Sequence, residues 1–245
     1  TRNYTYDNRG RLVSDSLIDT QPMATSTVVY GYDTDSNLTS RNVTLSANTD
    51  AGLHGYEYDY ADRLISWTHP STVETDYEWD LAGNRTTAGA DTYTYDQRNR
   101  LISGPEGDYT YTPRGTLAGI DPGTTPITYA FDPFGRLVEA GAVEYTYDGL
   151  DRVAERDTTP FTYNSPGWDP ISDNTQTYTR SPSGRVIAVT DGTTSLLAGT
   201  DRHGDLTHLH QTTGTVTNTA LYDPYGDPLT TTGTFGRLAT GLLAT

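Results

Sequence analysis

Aromatic and polar residues alternate along this chain in a short unit that keeps returning. Tyr93-Thr-Tyr95-Asp96-Gln-Arg-Asn99-Arg100-Leu101 is one copy. Tyr4-Thr-Tyr6-Asp7-Asn-Arg-Gly10-Arg11-Leu12 is another, and Tyr145-Thr-Tyr147-Asp148-Gly-Leu-Asp151-Arg152-Val153 a third. Side chains alternate across a strand, so Tyr-x-Tyr puts two rings on one face. Asp then ends the strand, because its carboxylate accepts backbone N–H bonds in a turn. Gly, or Asn and Asp in its place, supplies a residue that tolerates positive φ. Arg-Leu opens the return strand, with Arg directed across the turn toward Asp and Leu toward the packed face. Each unit therefore predicts a β-hairpin with a four-residue connection.

The other copies follow the same plan. They are Tyr30-Gly-Tyr32-Asp33, Tyr56-Glu-Tyr58-Asp59, Tyr77-Glu-Trp79-Asp80 with Gly83, and Tyr129-Ala-Phe131-Asp132 with Gly135. Tyr109-Thr-Tyr111 with Gly115 has lost its Asp. The first eight copies start 26, 26, 21, 16, 16, 20 and 16 residues apart. A constant turn with a variable interval puts the insertions in the connectors on the far side. Beyond these the pattern loosens into Phe161-Thr-Tyr163, Tyr178 with Gly184, Asp201 with Gly204, and Tyr222-Asp223 with Gly226. The chain is thus expected to hold regular repeats over 1–160, degenerate ones over 161–228, and a Thr/Gly-rich tail over 229–245. No segment carries a helical period. The expectation is an all-β protein of consecutive antiparallel hairpins sharing continuous sheet.

Composition narrows this further. Hydrophobic residues make up 33% of the 245 residues, and 19 tyrosines supply much of the burial capacity. The formal charge is −16, and all 16 basic residues are Arg. That argues against a nucleic-acid backbone binder, which needs a basic footprint. There is no cysteine, hence no disulfide framework or thiol nucleophile. No apolar run is long enough to predict a membrane-spanning helix. The start at Thr1, without Met, suggests a piece of a longer chain.

Tyr-x-Tyr-Asp-x-x-Gly-Arg-Leu at intervals near 20 resembles the YD repeat of bacterial RHS proteins. That repeat is shared with insecticidal toxin-complex shells, polymorphic toxins and the animal teneurins. The resemblance covers about residues 4–228. It implies a sheet that spirals into a hollow shell or barrel section, secreted or at the bacterial cell surface, enclosing a C-terminal toxin polypeptide. Its open edges would meet the rest of a longer chain or other copies. The order Gly184–Gly192, Asp201–Gly204, Tyr222–Gly226 resembles the stretch just upstream of the family's autoproteolytic core, which is expected beyond these residues. The implied role is structural and non-enzymatic, with no cofactor, no metal and no membrane insertion. The alternative is a surface or fibre-forming adhesion module that binds glycans or its own copies.

Candidate chemistry is sparse. Asp33 with Asp35 and Asp148 with Asp151 have the look of acid/base pairs. Yet Asp7, Asp59, Asp80, Asp96 and Asp132 recur in the equivalent place, which marks them as turn residues. His208 and His210 share a strand face, as a metal pair would, with His203 nearby but no third ligand at a known spacing. The tyrosine ladder reads either as a zipped sheet face or as a surface for stacking sugar rings.

Overall fold

The computed structural model describes residues 1–18, 24–45 and 48–233. Residues 234–245 of the expected Thr/Gly-rich tail lie outside the described residues. All regular structure among the described residues is β-strand, with no helix. Residues Thr1–Thr75 and Thr175–Thr245 form one compact unit, and Asp76–Asn174 a second.

In the first unit, β1 (Arg2–Tyr6), β2 (Leu12–Ile18), β3 (Ala24–Tyr32), β4 (Leu38–Leu45), β5 (Gly52–Tyr58) and β6 (Leu64–Thr68) pair in chain order. The second unit contains β7 (Glu74–Trp79), whose first two residues precede it, then β8 (Arg85–Ala88) and β9 (Asp91–Thr92). It continues with β10 (Thr94–Tyr95), β11 (Leu101–Gly104), β12 (Gly107–Tyr111), β13 (Leu117–Asp121), β14 (Ile127–Phe131), β15 (Leu137–Ala140), β16 (Val143–Tyr147), β17 (Val153–Arg156) and β18 (Thr159–Pro160). The chain then returns to the first unit as β19 (Thr177–Arg180), β20 (Val186–Thr190), β21 (Ser195–Thr200), β22 (Leu206–His210), β23 (Val216–Tyr222) and β24 (Pro228–Thr232), again paired in chain order.

The turns differ from the four-residue connection read from sequence. In the first hairpin, Asp7 N–H donates to Arg11 C=O at 3.0 Å, and Gly10 N–H donates back to Asp7 C=O at 3.0 Å. That is a three-residue loop, a type I turn followed by a left-handed residue that forms a bulge. Gly10 takes φ +75°, and Asn99 takes +58° at the equivalent place. Ser36 also adopts +79° there, outside the Gly/Asn/Asp set.

A second bulge follows each turn and was not foreseen. Thr5 pairs with Ser14 but Tyr6 pairs with Leu12, so Val13 drops out of register. The same one-residue step recurs beside Tyr32, Tyr58, Trp79, Tyr95, Tyr111, Phe131, Tyr147 and Arg180. Bulges bend a strand and raise its local twist, so the hairpins closed by these turns carry the same bend at the same place, while connector-side pairs such as β11–β12 and β15–β16 run without a shift.

The two units bury their residues differently. In the first, Val43 and Leu45 of β4 pack with Leu221 of β23, supported by Val28, Ala51 and Val216. A second cluster joins Tyr178, Val189, Leu196, Leu206 and Leu209. The N-terminal and C-terminal strands thus close on each other across some 180 residues of sequence. In the second unit, Tyr77 is the one buried hydrophobic among the described residues. There the strands alternate half-buried and exposed, as in β12 and β16, so one aromatic face is half-covered and the other solvated.

Candidate functional site: the repeat joint

The feature that recurs is a joint between hairpins, built from the turn outward. Asp96 Oδ1 accepts the N–H groups of Arg98 at 2.8 Å and Arg100 at 3.0 Å, while Oδ2 accepts Arg100 Nε at 2.8 Å. Asp7, Asp59, Asp132 and Asp148 repeat this pattern with Arg11, Arg63, Arg136 and Arg152. Asp33 and Asp80 do so with Asn37 and Asn84, whose side-chain amides donate to Oδ2. Where Asp is missing, Thr112 and Thr116 share a hydroxyl contact of 2.7 Å.

These bonds hold the carboxylates ionised. The Arg100 side-chain bond, then its backbone N–H, bring Asp96 down to about 2. The corresponding side-chain bonds lower Asp59 and Asp148, and for Asp7 the Arg11 backbone N–H leads. The suggested acid/base pairs fall within this turn geometry. Asp33 Oδ1 accepts the Asp35 N–H at 3.0 Å. Asp151 sits at the left-handed position with φ +62° and accepts Arg136 Nη1 at 2.6 Å.

The same guanidinium reaches the next hairpin. Arg11 lies 4.7 Å from the ring centroid of Tyr32, Arg100 4.4 Å from Tyr111, Arg136 4.8 Å from Tyr147, and Arg152 4.0 Å from Tyr163. A planar guanidinium can hydrogen-bond along its edge and stack through its face, which a lysine ammonium cannot do. The tyrosine hydroxyl completes the joint by donating to the backbone carbonyl of the preceding return strand. Tyr32 meets Leu12 at 2.8 Å, Tyr58 meets Leu38 at 3.1 Å, and Tyr95 meets Arg85 at 2.9 Å. Tyr111 and Leu101, and Tyr147 and Leu137, are each 2.7 Å apart. Tyr163 to Val153 is 2.8 Å and Tyr222 to Leu206 is 2.9 Å.

The first ring of each pair has another place. Tyr30, Tyr56 and Tyr77 are buried, Tyr93, Tyr109, Tyr129 and Tyr145 are half-buried, and Tyr4 is exposed, as is the second ring of its pair, Tyr6. Gly83, Gly115, Gly135, Gly184, Gly204 and Gly226 all occupy the left-handed turn position. The sequence reading paired Arg with its own Asp but missed the bond to the next repeat. The recurring second tyrosine, as opposed to phenylalanine, was the available signal.

The last turns depart from this pattern. Asp205 and Asp227 stand where Arg is usual, and Asp201 and Asp223 accept their backbone N–H groups at 3.0 and 2.8 Å. Burial raises the carboxyls of Asp205 and Asp223. Here arginines bridge the last turns and the facing strands of the same unit. Arg41 Nη2 donates to Tyr222 C=O at 3.0 Å, and Arg202 Nη1 donates to the Tyr32 hydroxyl at 3.5 Å.

The three histidines singled out by sequence do not converge. His208 and His210 are buried with ring centroids 5.4 Å apart. His203 lies on the preceding turn, where Arg202 Nε donates to it at 3.1 Å. Among the described residues, no group of three or more His, Cys, Asp or Glu could hold a metal ion.

A strip of identical hairpins joined edge to edge by Asp-fixed arginines and tyrosine hydroxyls is a YD-repeat sheet. The family model described as Teneurin YD-shell matches residues 1–243, and the chain belongs to that family. It is also similar to a chain of the Photorhabdus luminescens Tc holotoxin pore, at 15% identity over 93% of this chain and 18% of that one, with TM-score 0.42. A chain of a TcdB2-TccC3-Cdc42 structure shares 14% identity over 98% of this chain and 18% of its own, with TM-score 0.43. The chain therefore spans less than a fifth of these solved chains. No curated protein sequence matches it.

Proposed function

We propose that this chain is a section of a YD-repeat wall that surrounds a toxin polypeptide and catalyses nothing itself. The joint is the observation that carries this reading. At seven places it links one hairpin to the next in the same way, so the sheet extends by repetition, as a wall does. The turn carboxylates support the non-enzymatic part. Asp7, Asp59, Asp96, Asp132 and Asp148 are each occupied by backbone N–H groups and a fixed arginine, as turn residues rather than as acids or bases. The outer edges of β1 and β24 are where the rest of a longer chain, or another copy, would add strands. A secreted or bacterial cell-surface location belongs to the same reading.

The test is protease protection in the natural polypeptide that carries these 245 residues. Cargo inside the wall should resist protease until the wall is denatured. Cleavage of the cargo at the rate of the free polypeptide, with the wall intact, would overturn the proposal. A second reading rests on the half-buried rings of Tyr93, Tyr109, Tyr129 and Tyr145, which present a face on which sugar rings stack. Saturable glycan binding that is lost in Tyr129→Ala would favour an adhesion module instead.

A further inference from the structure

All five histidines, His54, His69, His203, His208 and His210, belong to the first unit, and Asp76–Asn174 contains none. Three of them are buried, with relative exposures of 0% for His54, 5% for His208 and 7% for His210. They stand at the two places where the N-terminal strands are fastened to the C-terminal ones.

The first fastening is made by Arg2 of β1. Its Nε donates to Asp15 Oδ1 at 2.9 Å and its Nη2 to Oδ2 at 2.5 Å, while Nη2 also reaches the Thr200 carbonyl at the end of β21. His208 and His210 lie on the adjacent β22. The His208 ring covers Gly199 so closely that a Cβ there would sit 2.0 Å from Cε1. Neither His208 Nε2 nor His210 Nδ1 has a hydrogen-bond partner among the described residues. The charges around the pair are the Arg2 guanidinium, the Thr1 ammonium, and Asp15 already bound to Arg2.

The second fastening is a relay. Trp67 Nε1–H donates to His54 Nδ1 at 3.2 Å, which makes Nε2 the protonated nitrogen, donating to Asp50 C=O at 3.0 Å. Asp50 N–H donates to Asn48 Oδ1 at 2.9 Å, and Asn48 Nδ2 donates to Thr219 Oγ1 at 2.9 Å and Thr230 C=O at 3.2 Å. His54 faces Arg41, its cross-strand partner, together with His69 and the Asp50 carboxylate. A proton on Nδ1 removes the acceptor for Trp67 and places a buried charge beside Arg41.

We propose that mild acid opens the first unit at these two fastenings while the hairpins of the second unit stay closed. Burial lowers His54 to about 4 and His208 to about 3, and lowers His210 as well. A histidine held neutral in the fold contributes its full stability above the unfolded value of about 6.5 and loses it as pH falls toward the folded value. Each such group shifts the opening equilibrium by about tenfold per pH unit, so at pH 5 the pair His54 and His208 gives about 10³-fold. Asp96, Asp59 and Asp148 stay ionised in that window because their turn bonds lower them, while Asp205 and Asp223, raised by burial, favour the fold as pH falls and so do not drive the opening.

Hydrogen exchange by mass spectrometry on the whole chain, from pH 7.5 to 4.5 and corrected for intrinsic rates, tests this. Protection in β1, β22 and residues 48–54 should fall steeply below pH 6.5, by about 10³-fold at pH 5, with β10–β17 changing only a few-fold. Uniform loss in both units, or no loss, overturns the proposal. The His208→Gln/His210→Gln variant should move the transition to lower pH, and an unchanged transition counts against it. Should that variant fail to fold, imidazole NMR of the unaltered chain decides. His54 and His208 must remain neutral at pH 5, and titration near 6.5 with protection intact refutes the mechanism.

Discussion

One joint in the second unit lacks both of its cross-repeat contacts, and repairing it should stabilise the sheet. Phe131 stands where neighbouring repeats have Tyr111, Tyr147 and Tyr163, so no hydroxyl is there to reach the Leu117 carbonyl. Thr116 stands where Arg is usual, so no guanidinium covers the ring. At the flanking joints the hydroxyl bonds are 2.7 to 2.8 Å and the Arg-to-ring distances 4.0 to 4.8 Å. Phe131→Tyr should supply one partly buried hydrogen bond worth about 1 kcal/mol, which slows local opening about fivefold. Adding Thr112→Asp and Thr116→Arg should contribute about 0.5–1 kcal/mol more through the ring stack. Tyr147→Phe is the mirror experiment. It deletes the bond to Leu137, leaves that carbonyl unpaired, and should cost about 1–2 kcal/mol. Hydrogen exchange of β13, β14, β15 and β16, together with urea midpoints, reads both changes. If Phe131→Tyr leaves protection unchanged and Tyr147→Phe costs nothing, the hydroxyl is not what joins the repeats.

Two further predictions follow from the geometry. Gly199→Ala should destabilise the first unit by about 1–3 kcal/mol in urea unfolding, since its Cβ would overlap the buried His208 ring. Gly55→Ala, whose Cβ would meet Thr68 at an ordinary 3.6 Å, should cost much less, and equal costs would discredit the packing argument. The turn aspartates set a separate acid limit. Asp96, with its folded value lowered to about 2, contributes stability that is complete above about 4 and lost as pH falls toward 2. A carboxylate carbon titration should find Asp96 near 2, and a midpoint at the ordinary aspartate value would rule out the Arg100 contact in solution.

Much of the hairpin was legible because it is local. Tyr-x-Tyr, Asp and Gly-Arg-Leu act within nine residues, and alternation, turn chemistry and positive φ all favour one arrangement. The three-residue loop and second bulge were not legible, because composition names the turn residues but not how the ladder slips beyond them. The joint was half legible. Arg100 could be aimed at Asp96 from spacing alone, but its stack on Tyr111 depends on how two hairpins lie side by side. The closure of β4 on β23 was invisible to any reading of repeats, since Val43, Leu45 and Leu221 share no motif. His54 gave no signal for the same reason. Its partners, Trp67 and the Asp50 carbonyl, are set by packing rather than by pattern.

The tyrosine joint also separates chain length from sheet width. Tyr111 reaches back 10 residues, Tyr222 reaches back 16 and Tyr32 reaches back 20, yet each makes the same bond to the same kind of carbonyl. A connector of any of these lengths advances the sheet by one hairpin. The motif edge thus behaves as a ruler with a fixed division, and the connector edge stores whatever extra chain a repeat contains. Sequence grafted into a connector would decorate that edge without altering the count of steps along the other.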